Sequence, residues 1–268
     1  MGFLVRDYSV VKEPARGIYL LPNVLTTIAL FAGFYAIIQT VKGRFDTSAM
    51  AIFVAMVADS LDGRVARLTN TQTAFGAEYD SLSDMVCFGV APALLGFNWG
   101  LFSFGNIGWF AGFVYVAATA LRLARFNTQI GVTDKNYFQG LPSPAAAAIV
   151  AGFVWVVVDN QWQPTEILKG LFILVIVLCA FLMVSRIRYH SFKNLEWQGK
   201  VPFVGLLLIV LIFGFISLEP PDVIFICAFL FGLSGPIMTL WRLRKRRLER
   251  KYHEKLSKSE KIMDRKTK

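Results

Sequence analysis

Apolar stretches of about 20 residues recur along the chain with short polar breaks, and within most of them apolar side chains occupy every face of the expected helix. Such segments suit a lipid surround, because about 20 apolar residues in a helix span the roughly 30 Å of hydrocarbon and satisfy their own backbone hydrogen bonds. Windows of this kind lie near residues 20–41, 46–68, 79–97, 105–125, 142–159, 167–185, 201–217 and 221–241. The pattern predicts an all-α fold, a polytopic membrane helical bundle of about eight transmembrane helices. The second window breaks the rule, because Asp59, Asp62, Arg64 and Arg67 fall inside it. With no internal repeat and no low-complexity linker, one helical domain with a tail is expected.

Composition agrees with lipid as the main solvent: 55% of residues are apolar and only 17% charged, where soluble domains hold about a quarter. The formal charge of +10 is a property of one end, since thirteen of the 28 Lys and Arg follow Trp241. That basic run, residues 242–268, is read as a cytoplasmic tail that anchors orientation against membrane lipid, with no nucleic-acid partner. With both termini in the cytoplasm, Arg6, Lys12, Arg16, Arg64, Arg67, Arg122, Arg125, Lys135, Arg186, Arg188, Lys193 and Lys200 all fall inward, while Asp159, Glu166, Glu219 and Asp222 fall outward. Trp99, Trp109 and Trp162 then mark the outer interface, Trp197 and Trp241 the inner one. The expected location is the cytoplasmic (inner) membrane. Residues 1–20 lack the pattern of a signal peptide, so the first membrane segment is expected to stay attached. Cys87, Cys179 and Cys227 stand singly in apolar runs and read as small fillers. Ala148 and Gly152, four apart, allow close helix contact, and Pro236 after Gly235 is expected to kink the last helix.

The chemistry concentrates in residues 59–84. On a helix, Asp59, Asp62, Gly63, Ala66 and Arg67 share a stripe roughly 140° wide. Gly63 and Ala66 keep that face low, so a bulky group can lie between the carboxylates and the guanidinium. A second helix aligns Gly76, Asp80 and Asp84 at spacings of four. An Asp at the bilayer centre costs about 2.5 to 3.5 kcal/mol, against a typical total stability of about 5 to 15 kcal/mol, so four acids need compensation. Hard oxygen ligands in that number suit Mg²⁺, Mn²⁺ or Ca²⁺ rather than zinc, and Mg²⁺ commonly binds through carboxylates plus substrate phosphates. Internal pairing with Arg64, Arg67, Arg122 and Arg125 would balance the charge but leaves the low Gly and Ala positions unexplained.

The ordered set Asp59, Asp62, Gly63, Ala66, Arg67, Gly76, Asp80 and Asp84, with eight residues between Arg67 and Gly76, resembles in every position the signature of the CDP-alcohol phosphatidyltransferases. The surrounding helix pattern extends the likeness over roughly residues 16–185, and "LPNVLT" at 21–26 is similar to the family's first-helix element. The resemblance implies transfer of the phosphatidyl group from CDP-diacylglycerol to an alcohol, with release of CMP. It implies two divalent cations, Mg²⁺ or Mn²⁺, held by Asp59, Asp62, Asp80 and Asp84, with Asp84 also the general base. It places Asn23, Thr26, Gly63, Arg67 and Thr73 around CDP-diacylglycerol, and it implies a homodimer. Residues 1–19 then form a juxtamembrane segment, 20–185 the six-helix catalytic core, 186–241 two additional helices, and 242–268 the tail.

"LRLARFN" (121–127) and "YFQGLPSPAAA" (137–147) resemble the branch of the family whose acceptor is serine. A guanidinium fork suits the serine carboxylate, so Arg122 and Arg125 are the candidates for acceptor binding, with Gln139 and Ser143 as polar neighbours. The alternatives are a sister enzyme acting on glycerol phosphate, inositol phosphate or choline, and an ion transporter. A transporter would spread its acids through several spans, whereas these cluster at one end of two.

Overall fold

A computed structural model of the chain describes residues 20–128, 137–190 and 219–266, and the fold is helical almost throughout. Helix α1 (Leu20–Val41) turns into α2 (Phe45–Leu68). The turn needs a left-handed residue, supplied by Gly43 at φ +74°; its N–H donates to Thr40 O at 2.9 Å and that of Arg44 to Gln39 O at 2.9 Å. Buried Ala32, Ala36, Ala51 and Ala55 let these two helices pack closely. Helix α3 (Ala74–Asp84) continues through a single π turn (Met85–Val90) into α4 (Ala91–Trp99). Tyr115 holds the widened turn, its hydroxyl donating to Phe88 O at 3.0 Å.

A 3₁₀ turn (Leu101–Phe104) leads to α5 (Asn106–Thr128). Helices α6 (Ser143–Asp159) and α7 (Glu166–Val184) follow, and α8 (Pro220–Lys266) closes the described chain. Between α5 and α6 lies a three-residue strand β1 (Tyr137–Gln139), paired antiparallel with β2 (Arg188–His190) after α7. Helix α6 is the most deeply placed, packed by α2, α4, α7 and α8. Its small residues are used as expected: Ala148 is buried, and a Cβ at Gly152 would press on Phe225 of α8 at 3.3 Å.

Among the described residues, five segments are long and apolar enough to cross a membrane: Leu21–Val41, Ala74–Trp99, Asn106–Thr128, Glu166–Val184 and Pro220–Trp241. The chain therefore reads as a helical membrane protein. Helix α2 misses the criterion through its charges, and α6 through its 17-residue length. The window at 201–217, the segment 1–19, Lys135, Lys193, Trp197 and Lys200 lie outside the described residues.

Two expectations change. Trp99 is 8% exposed and packs edge-on against Phe153 and Phe172, so it belongs to the core rather than to an interfacial belt; Trp109 and Trp162 are more than half exposed. The tail is no separate unit: α8 runs unbroken for 47 residues, about 70 Å at 1.5 Å per residue, through Pro236 and into the basic run.

Candidate active site

Both acidic stripes depend on the turn between α2 and α3. Helix α2 stops where Asn70 adopts φ +53°, with Asn70 N–H donating to Arg67 O and Thr71 N–H donating to Ala66 O at 3.1 Å. Thr73 then opens α3, its hydroxyl accepting from Gly76 N–H at 3.0 Å. Both helices pack on α1, and residues of both line the cleft beside them. The acids face into it.

Carboxylate oxygens of Asp59, Asp62 and Asp80 lie within 4.8 Å of one another, and Asp84 borders the same cavity as these three. Thr26 on α1 orients one of them, donating from Oγ1 to Asp62 Oδ2 at 2.6 Å. Asp80 Oδ1 is buried with no protein partner among the described residues. Nor does any cation pair with these acids there, since the ion pair formed is Lys169 with Glu166, elsewhere. Oxygens bound to one hard divalent ion at about 2.1 Å lie roughly 3 to 4 Å apart, so a small inward adjustment of this triad would suit one ion or a bridged pair. Convergent carboxylates with an orphaned oxygen and no cation in ion-pair contact among the described residues fit a divalent metal.

The acids form a ridge between two cavities. One, of about 410 Å³, is bordered by Asn23, Thr26, Arg67, Thr73 and Gly76. The other, of about 320 Å³, is bordered by Asp59, Asp84, Arg122, Asn127 and Ser143. Asp62, Gly63, Arg67 and Asp80 belong to both. Gly63 lies under the Arg67 guanidinium, where a Cβ would sit 3.7 Å from it, and Gly76 leaves room beside Thr73 and Asn23. Asn23, Thr26, Gly63, Arg67 and Thr73, expected around the nucleotide, border the first cavity, and two of the four residues expected around the acceptor, Arg122 and Ser143, border the second.

The two arginines of α5 part company. Arg122 borders the second cavity and donates to Ser143 Oγ at 2.9 Å, with its Nε buried and without a partner among the described residues. Arg125 turns instead to the end of α7, donating to Val184 O at 2.9 Å, and borders neither cavity. Gln139 is exposed at the end of β1 and also borders neither. Missed from sequence were Ser81 and Asn127, which join α3 to α5 through a hydrogen bond of 3.0 Å at the rim of the second cavity. Asn127 ends the "LRLARFN" stretch, but its partner lies 46 residues away.

The family model described as CDP-alcohol phosphatidyltransferase matches residues 19–182. The chain is 36% identical over 233 residues to a CDP-diacylglycerol–serine O-phosphatidyltransferase of Helicobacter pylori, covering 87% of this chain and 96% of that protein. It is 36% identical over 180 residues to the protein of the same name from Methanocaldococcus jannaschii, covering 67% and 78%. An archaetidylserine synthase of Methanothermobacter thermautotrophicus is 35% identical over 171 residues, covering 63% and 69%.

Proposed function

Because the chain belongs to the CDP-alcohol phosphatidyltransferase family, we infer that it transfers the phosphatidyl group of CDP-diacylglycerol to L-serine, giving phosphatidylserine and CMP. The observation that carries this reading is the cluster of four acids at the junction of two cavities, with Asp62 and Asp80 bordering both, one cavity suited to a nucleotide and the other to a small carboxylate-bearing alcohol.

Residues 20–185 act as the catalytic core. Asp59, Asp62, Asp80 and Asp84 hold two divalent cations, Mg²⁺ or Mn²⁺, which when bound neutralise the diphosphate and offset charge on the attacking and leaving oxygens. Asn23, Thr26, Gly63, Arg67 and Thr73 receive the CDP moiety. Arg122, supported by Ser143, orients the serine carboxylate with its hydroxyl toward the ridge. Asp84 takes the proton of that hydroxyl as its oxygen bonds to the phosphorus bearing diacylglycerol, and the bond from that phosphorus to the CMP oxygen breaks. Arg125 acts from outside the cavity, through its bond to the end of α7. The lipid tails keep the donor in the membrane, whereas serine and CMP exchange with water at the cytoplasmic face. About eight spans in the inner membrane, both termini inside, contact with membrane lipid and a homodimer complete the reading.

The test is CMP release from CDP-diacylglycerol by purified protein, with and without Mg²⁺ or Mn²⁺, on adding serine, glycerol phosphate, inositol phosphate or choline. Serine-dependent, metal-dependent release is expected. Release driven by another alcohol would reassign the acceptor, and none with any alcohol would refute transferase activity.

A further inference from the structure

The acceptor-side wall is tied to a helix outside the segment that the family model matches. Pro142 and Ser143 border the second cavity at the start of α6, and the backbone before them is fixed twice. Gly140 N–H donates to Ile187 O at 2.8 Å, and Leu141 N–H to Leu182 O at 3.0 Å. Strand β1 is paired with β2, with Phe138 opposite Tyr189.

What holds β2 is Tyr189. Its side chain is fully buried, and its hydroxyl reaches α8, donating to Gly232 O at 3.0 Å. In an α-helix that carbonyl would accept from the N–H four residues on, but the residue there is Pro236, which has none. The phenol supplies the donor that the proline withholds, in an interior where an orphaned carbonyl carries a penalty. Gly235 completes the seat, since a Cβ there would collide with the Tyr189 ring, and Phe231 flanks the ring with centroids 5.7 Å apart. Gly232 in turn brings α8 onto Ile149 of α6. An orphaned carbonyl, a missing side chain and an aromatic neighbour thus converge on one tyrosine.

We propose that Tyr189, seated on Gly232, Gly235 and Pro236, is a positioning residue for the acceptor, locking the β1–β2 strap to α8 and thereby fixing Ser143 and the Arg122 guanidinium bonded to it. The appended helix serves the acceptor cavity as a backstop. This rests on the reading that the Arg122 cavity takes serine.

Tyr189→Phe keeps the ring in its seat and removes only the hydroxyl. The serine KM is expected to rise about three- to tenfold, with kcat and the KM for CDP-diacylglycerol within about twofold of the parent values. The double variant Tyr189→Phe with Pro236→Ala returns an N–H to the Gly232 carbonyl without returning the tether. Its melting temperature should recover toward that of the parent while the serine KM stays raised. An unchanged serine KM in Tyr189→Phe overturns the proposal, as does a KM that recovers together with stability in the double variant. Failure of the underlying reading has its own signature: the parent protein would release no CMP on adding serine, or Arg122→Ala would leave the serine KM untouched, and either result removes the premise.

Discussion

Thr26→Val tests how the acidic ridge is set for metal. The Thr26 hydroxyl lies 2.6 Å from Asp62 Oδ2 and 3.1 Å from Pro22 O, and with a single proton it donates to the nearer, charged acceptor. The side chain is 4% exposed, so water has little access to replace the bond. A hydrogen bond to a charged group contributes about 1.5 to 3 kcal/mol, which at about 1.4 kcal/mol per tenfold corresponds to roughly ten- to a hundredfold in an equilibrium constant. Loss of a partner to a metal-ligating side chain typically weakens metal affinity by about the same 10- to 100-fold. Valine fills the volume of threonine, so no cavity term complicates the comparison, and Thr26→Ser should restore the parent behaviour. The assay is CMP release against Mn²⁺ concentration at saturating serine and donor, paired with a direct Mn²⁺ titration by electron paramagnetic resonance without substrates. Half-saturation by Mn²⁺ should shift upward at least about tenfold, with kcat at saturating metal falling less than about threefold. Unchanged Mn²⁺ binding with a raised KM for CDP-diacylglycerol would refute the reasoning, and would leave the hydroxyl its nucleotide contact alone, with no part in setting the metal ligands.

Other outcomes follow from the same geometry. Asp84→Asn should lower kcat by about a hundredfold or more while CDP-diacylglycerol binding persists, as expected for loss of a general base, measured by turnover and by equilibrium binding of the donor. Arg122→Ala should raise the serine KM at least about tenfold and leave the KM for CDP-diacylglycerol unchanged, whereas Arg125→Ala should act mainly on thermal stability through its bond to Val184 O. Gly140→Ala meets both a φ of +79° and the Met183 carbonyl in the way of a Cβ, so a loss of about 2 kcal/mol or more is expected in thermal unfolding. Burial pushes the Tyr189 phenol up to about 12, above the value of about 10 it has when unfolded. Its tether is then fully present below pH about 10 and lost as pH climbs toward 12, so the melting temperatures of the parent and Tyr189→Phe should converge across that window.

The acidic ridge was legible because it is local. Helical spacing alone puts Asp59, Asp62 and Gly63 on one face and Asp80 with Asp84 on another, and Asn70 and Thr73 mark the intervening turn by residue type. Thr26 was found through a resemblance, while its bond to Asp62 crosses 36 positions and has no spacing signature. Helical spacing likewise put Arg122 and Arg125 together, but the end of α7 offers Arg125 a backbone carbonyl that nothing near it in sequence announces. The β1–β2 ladder of three residues a side is too short to carry an alternating pattern. Trp99 read as interfacial because loop charge places the end of its window at the outer face, and only the rings of Phe153 and Phe172, brought in from α6 and α7, give it a core to enter.

The two cavities draw their outer walls from different parts of the chain: Asn23, Thr26 and Thr73 from α1 and the α2–α3 turn, Arg122, Asn127 and Ser143 from α5 and α6. Selection can therefore rework one chamber while the other is left intact. A lineage could change the alcohol it consumes by substitutions at Arg122, Asn127 and Ser143, which border the second cavity alone, and keep its nucleotide-lipid donor, which gives the architecture an economical route to new headgroups.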